Sequence, residues 1–412
     1  MAMFRRVLLL LAVGLARGSK TFDVTPFEIT LLPLWIAQYR LPNTGNYSFY
    51  PHDAKGAHPY ATSDVVHVQC FTNTLSLSEA DKDAHARVIN SWQRADGFFH
   101  NGFAPDDHGS GGSLWHAAGY VTAGLSILGR SPLWQNTLFE AIAQTPSLWE
   151  YTVDGLLNAD TPGGHAPCAG EKHGPCTCGG GKKGVYCGCS SGYGCAQNIA
   201  SLLSWQIQTN SSTVPGLGGG LLRNKPFVDW YVKHLNAKAD AESGLWCTPD
   251  QRQRKGEINC IGGSFHIDFV YQHMYLYGGG AAAGGGADAT WRFPAPLKQL
   301  NASLALQKRH GGWTPDGMAY LNVDGIYQAT RPSLQAGKAR WAEVEAACEG
   351  LMGLVVPALN NASKLLDPNG LSRNTHNLPA LVGAVAECQK QFPTMITSKR
   401  QWRMCLDATP YI

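Results

Sequence analysis

The sequence predicts a mainly helical protein in which pairs of helices surround a central space. Three observations predict it: apolar residues recur at three- and four-residue spacing along most of the chain, strand-like alternation is almost absent, and a glycine-aromatic turn precedes helix after helix. The chain opens with M-A-M-F-R-R-V-L-L-L-L-A-V-G-L-A-R-G, two arginines before a short apolar run and small residues at Ala16 and Gly18. Residues 1–18 therefore read as a secretory signal peptide, and the apolar run is too short to span a bilayer. Residues 19–75 read as a polar, proline-bearing N-terminal segment, followed by one helical domain over 76–412. Ser76 to Gln93 has helical spacing and ends at Ala95-Asp96-Gly97. A glycine-rich loop then leads into a helix whose face carries Leu114, Ala118, Val121, Leu125 and Leu128. Pro132 opens a run towards Ala143, and W-E-Y-T-V-D-G-L-L follows Pro146.

The same arrangement returns twice. K-P-F-V-D-W-Y-V-K-H-L leads through E-S-G-L-W-C to G-G-S-F-H-I-D-F-V-Y-Q-H-M-Y-L-Y, and P-L-K-Q-L-N-A-S-L-A-L-Q-K leads through H-G-G-W-T-P-D-G to M-A-Y-L-N-V-D-G-I-Y-Q-A-T-R. Arg340–Leu359 and Leu378–Gln389 complete a set of about ten to twelve helices. On the G-F-F, G-L-W and G-G-W turns and this pairing, the stretch from Ser76 to Gln389 resembles the α/α toroid proteins. That resemblance implies an (α/α) barrel and, among its secreted members, glycan hydrolases and lyases. Terpenoid cyclases of the superfamily carry D-x-D-D or D-D-x-x-D, where this chain has only Asp106-Asp107-His108. Its protein prenyltransferases place zinc on Asp, Cys and His, a use that a disulfide at Cys247 would preclude.

All twelve cysteines follow the signal. Six of them lie between Cys168 and Cys195 in a glycine-dominated stretch, read as a small insertion held by three disulfides whose pairing has fifteen possibilities. Cys70, Cys247, Cys260, Cys348, Cys388 and Cys405 supply up to three more bridges, with Cys247–Cys260 closing a short loop and Cys388–Cys405 tying down the end of the chain. Sequons at Asn46, Asn210, Asn301 and Asn361 point to the same secretory compartment. Without Arg5, Arg6 and Arg17 the formal charge of +3 falls to about zero, which gives no electrostatic case for nucleic acid. No segment is long and apolar enough for a membrane span. Twelve tryptophans and fifteen tyrosines offer sugar-stacking surfaces as well as core.

Three polar clusters carry the candidate chemistry. Asp96, His100, Asp106, Asp107, His108 and His116 spread over a loop and the first turn of one helix, either as a hydrated loop or as a rim where a helix N-terminus moves pKa values. His266 and His273, seven residues apart, share one helix face, and Asp268 points about 200° from His266. Their spacing is not that of a metal site, and no metal or cofactor is expected. Trp313, Asp316, Tyr320, Asp324, Tyr327 and Arg331 form the third cluster, the last four lining one face. Buried there, Asp324 and Arg331 must pair, either with sugar hydroxyls or with each other's neighbours.

The expectation is a secreted carbohydrate-active enzyme, a glycoside hydrolase with Asp324 as one carboxylate and Asp107 or Asp316 as the other, with His266, Trp115, Trp313 and Arg331 positioning substrate and His116, Asp268, His273 and Tyr327 as further substrate contacts. The alternative enzyme is a lyase or epimerase of uronic acids using His266, Tyr320, Tyr327 and Arg331. The non-enzymatic alternative is a glycan-binding wall or matrix protein. An enzyme would bring His266, Asp324 and Arg331 to one central cavity.

Overall fold

The computed structural model describes residues 20–42, 46–51, 58–99, 114–157, 166–167, 175–176, 194–208, 224–247, 252, 257–277, 289–314, 320–407, 409 and 411. The segment read as a signal peptide, almost all of the cysteine-rich stretch, the Asn210 sequon, and His100, Asp106, Asp107, His108 and Asp316 lie outside them. The described chain is mainly helical. Strand β1 (Phe22–Asp23) and a π-helical turn lead into α1 (Leu32–Tyr39), followed by α2 (Pro59–Phe71), α3 (Glu79–Ser91), α4 (Leu114–Ile127), α5 (Thr137–Gln144) and α6 (Pro146–Leu157). The two-residue strands β2 (Ala166–Pro167) and β3 (Pro175–Cys176) pair antiparallel. Then come α7 (Gly194–Gln208), α8 (Lys225–Lys238), α9 (Glu257–Tyr277), α10 (Pro296–Leu306), α11 (Leu321–Gln335), α12 (Trp341–Leu359) and α13 (Asn377–Gln391). Strand β4 (Ile396–Thr397) pairs in parallel with β1.

Two kinds of helix are distinguishable by burial. In α2, α11 and α13 nearly every residue is buried, whatever face it occupies. By contrast α3 buries only His85, Ala86, Ile89 and Asn90, and α8 buries the single stripe Phe227, Val228, Tyr231, Val232 and Leu235. A helix apolar or satisfied all round belongs inside a fold, and one with a single stripe belongs on its outside. The contacts agree: α2 packs on α4, α4 on α7, α7 on α9, α9 on α11, α11 on α13, and α13 on α2, so the succession of neighbours returns to its start. Helices α3, α6, α10 and α12 pack against members of this circuit.

Local sequence explains the ends. Ser78 caps α3 in a reciprocal capping box with Asp81, which starts the helix slightly later than the spacing alone suggested. Asn136 caps α5 by accepting the Phe139 amide at 2.9 Å. The turn at Gly311 needs a positive φ of 99°, and a side chain there would strike the Gly350 carbonyl of α12. The stretch read as an N-terminal segment contains α1 and α2, and α2 is a full member of the six-helix circuit.

Cys247–Cys260 forms as expected. The expected Cys388–Cys405 bridge does not: Cys405 bonds Cys70 at the end of α2 instead, because the chain after β4 crosses back to that helix, where the Arg403 amide donates to the Phe71 carbonyl at 2.9 Å. Cys388 faces Cys348 of α12. Among the described residues no helix is long and apolar enough to cross a membrane.

Candidate functional site

Helices α2, α4, α11 and α13 bring polar residues to, or just before, their first two turns. His58 caps α2 by accepting the Tyr60 amide on Nδ1, with Pro59 pre-set for the first helical position. Tyr60, Asp64 and His67 then follow at four- and three-residue steps on one face, as do His116 and Tyr120 on α4. Tyr320 and Asp324 occupy the start of α11, and Thr375 and His376 immediately precede α13.

Asp64 is the centre of this group. Its carboxylate accepts from the Tyr120 hydroxyl, from Thr375 Oγ1 at 2.5 Å and from His376 Nδ1 at 2.8 Å. The bond to Asp64 directs the His376 Nδ1 proton inward and leaves Nε2 as the basic nitrogen. Nε2 has no hydrogen-bond partner among the described residues, and the side chain is 12% exposed while that of Asp64 is fully buried. The Tyr320 hydroxyl lies 3.3 Å from His376 Nδ1, with the two rings 4.8 Å apart. Burial, with the nearby charges of Asp64 and Asp324, raises the Tyr320 pKa well above its ordinary value, so its hydroxyl stays a proton donor.

Behind this exposed edge lies a drier layer. The Tyr60 hydroxyl meets His116 Nδ1 at 2.8 Å, and the Tyr60 ring lies nearly parallel to those of His116 and Tyr120. Burial, helped by His376 and His266, pushes His116 well below the ordinary imidazole range. His266 gives its Nδ1 to the Gly262 carbonyl at 2.7 Å, and burial lowers its pKa to about 4. Both imidazoles are thus neutral at neutral pH. Their rings are 6.2 Å apart and share Tyr411 as a neighbour.

Of the residues singled out from sequence, His116, His266, Tyr320 and Asp324 belong to this assembly. Trp115 packs edge-on against Phe139 in the core. Trp313 is also core: its indole donates to the Ser303 carbonyl at 2.9 Å, and its ring covers Gly325. Asp268, on the opposite side of α9 from His266, accepts from Gln299 of α10 at 3.3 Å, and burial raises its pKa well above the carboxylate range.

Arg331 lies about 10 Å further along α11 than Asp324. It grips Glu387 through Nε at 2.8 Å and Nη2 at 2.5 Å, reaches Asp407 at 3.1 Å, and stands over the Tyr327 ring at 5.0 Å. His273 belongs to the same level, its Nδ1 on the Asp407 carbonyl at 2.9 Å. The structure therefore joins His266 with the Tyr320–Asp324 helix start and keeps Arg331 in a separate, fully paired ionic cluster.

Sequence reasoning missed Tyr60, Asp64, Tyr120, Thr375 and His376. The four-residue steps Tyr60–Asp64 and His116–Tyr120, and a histidine just before L-P-A-L, were the available signals. Among the described residues no group of three or more His, Cys, Asp or Glu is arranged to hold a metal ion. No protein-family model matches the chain, and no curated protein matches it in sequence.

Proposed function

We propose that the chain is an (α/α)6 toroid and a secreted carbohydrate-active enzyme that removes a proton from a sugar carbon, the lyase or epimerase chemistry of uronic acids. The toroid reading rests on the alternation of all-round-buried and one-stripe helices. The chemical reading rests on one observation: His376, fixed by the Asp64 carboxylate through Nδ1, presents an Nε2 with no partner among the described residues, on a ring whose Nδ1 lies 3.3 Å from the protonated Tyr320 hydroxyl. A base oriented by a carboxylate, with a neutral acid next to it, is the equipment that proton transfer requires. In elimination His376 Nε2 takes the proton α to the sugar carboxylate, the electron pair forms the ring double bond and expels the glycosidic oxygen, and Tyr320 protonates that oxygen. The enolate-like charge is met by neutral hydroxyl donors, since Arg331 is committed to Glu387 and Asp407.

The test is a panel of uronic-acid polysaccharides followed by ultraviolet absorbance of the unsaturated product, and by solvent hydrogen exchange without cleavage for epimerisation. On the responding polymer, His376→Gln and Asp64→Asn should each lower kcat by about 10²–10⁴-fold. A fully active His376→Gln would refute the assignment. One observation favours glycoside hydrolysis as a second reading: the charges of Asp64 and Asp324 both raise the pKa of Tyr320, so two carboxylates lie within electrostatic reach of one hydroxyl. Release of reducing ends without the absorbing product would decide for it.

A further inference from the structure

The segment Trp402–Tyr411 enters the six-helix circuit from the end opposite the helix starts. It is clipped to α2 by Cys70–Cys405, anchored by Asp407 on Arg331 and Lys390, and buried at Trp402, Met404, Cys405, Leu406, Thr409 and Tyr411. Its last described residue reaches the site. The Tyr411 hydroxyl bonds Ser201 Oγ of α7 at 2.8 Å, and its ring stands edge-on to His116 at 5.5 Å, to His266 at 6.0 Å and to Phe269 at 5.3 Å. Helix α4 leaves room for it only because residue 119 is glycine: a Cβ there would lie 2.7 Å from the Tyr411 ring. One aromatic ring thus touches three helices of the circuit and both neutral histidines.

We propose that Tyr411 is a positioning residue of the site, its ring holding the His116 imidazole in the register in which Nδ1 meets the Tyr60 hydroxyl and shielding that pair and His266 from water. The role rests on the acid-base reading of this cluster for its purpose, but it is measurable without substrate. In the full chain with isotope-labelled histidines, the NMR signals of His116 and His266, assigned with His116→Gln and His266→Gln, should not titrate between about pH 5 and 8. Tyr411→Phe, which keeps the ring, should leave them silent. Tyr411→Ala should make both titrate within that window, and Tyr411→Leu gives the same reading should the alanine variant not fold. Gly325→Ala, a destabilising change in the Trp313 packing, should not move them. Silent histidines in Tyr411→Ala or Tyr411→Leu, or titration in Gly325→Ala as large as theirs, would overturn the proposal. A polysaccharide panel with no turnover would instead refute the catalytic reading and leave this one standing.

A separate observation concerns Cys348 of α12 and Cys388 of α13, both buried, with Sγ atoms 2.7 Å apart. The other described cysteines away from the cysteine-rich stretch are already bridged. We infer that this pair is a third disulfide, formed when the two thiols lose two electrons and two protons to a disulfide-bearing oxidant of the secretory pathway, which is reduced to a dithiol. Peptide mass mapping of the secreted chain, alkylated while denatured and without reductant, should yield a linked Cys348–Cys388 peptide pair. Alkyl label on both cysteines, or linkage of Cys388 to Cys405, would overturn it.

Discussion

Acid should destabilise this protein already above the pH at which ordinary carboxylates titrate. Burial holds His67, His266 and His273 down at about 4, only partly offset by the carbonyl each bonds, whereas an exposed imidazole titrates near ~6.5. Between those values the unfolded chain binds more protons than the folded one, so stability rises with pH across that window. The contribution is complete above about 6.5 and disappears as pH falls towards 4. From pH 7 to 5 each histidine removes about 2 kcal/mol, and the three together about 6 kcal/mol. His116 adds to this loss, and Asp268, whose raised pKa acts in the opposite sense, offsets it. Against a typical net stability of about 5–15 kcal/mol, that change is a large fraction of the total. Urea titrations at pH 7, 6 and 5, followed by tryptophan fluorescence, should give a slope of about 3–4 kcal/mol per pH unit near pH 5.5. In His273→Gln the slope should fall by about 1.2 kcal/mol per pH unit. A change of less than about 1 kcal/mol between pH 7 and 5 would refute the claim that these imidazoles are buried and neutral.

Other substitutions test the packing. Glu387→Ala removes the bidentate partner of a fully buried guanidinium and should cost about 3–5 kcal/mol by urea denaturation, since Asp407 alone remains to face Arg331. Gly325→Ala places a methyl 2.3 Å from the Trp313 ring, and the resulting displacement should lower stability by about 1–3 kcal/mol and alter near-ultraviolet circular dichroism. Ser78→Ala breaks the capping box of α3 and should cost about 1 kcal/mol in thermal denaturation.

What was legible in the sequence was what local spacing encodes. Helices α3, α4, α12 and α13 were recoverable within a few residues because periodic apolar positions, caps and turns lie within reach of one another. Helix α2 was not, since P-Y-A-T-S-D-V-V-H-V-Q-C-F is buried on nearly all sides and shows no amphipathic stripe. The site divides in the same way. Tyr320 and Asp324 stood out beside a glycine-aromatic turn, but the bond between Asp64 and His376 spans 312 positions, and no local pattern announces it. Tyr327 and Arg331 do share a face of α11, as their spacing required, yet Glu387 and Asp407, 56 and 76 positions away, supply the charges that decide what Arg331 does.

Helix α2 finds α13 and the Cys405 thiol only after almost the whole chain has left the ribosome. The two halves of the Cys70–Cys405 bridge are 335 positions apart, which at about 5–20 residues per second is roughly 20–70 s of synthesis. Throughout that interval the apolar flank of α2 that will receive α13, with Phe71 among its residues, is open and Cys70 is an unpaired thiol. Until then the exposed apolar flank is open to wrong contacts. A truncated message would release a product whose first helices have no last helix to close against.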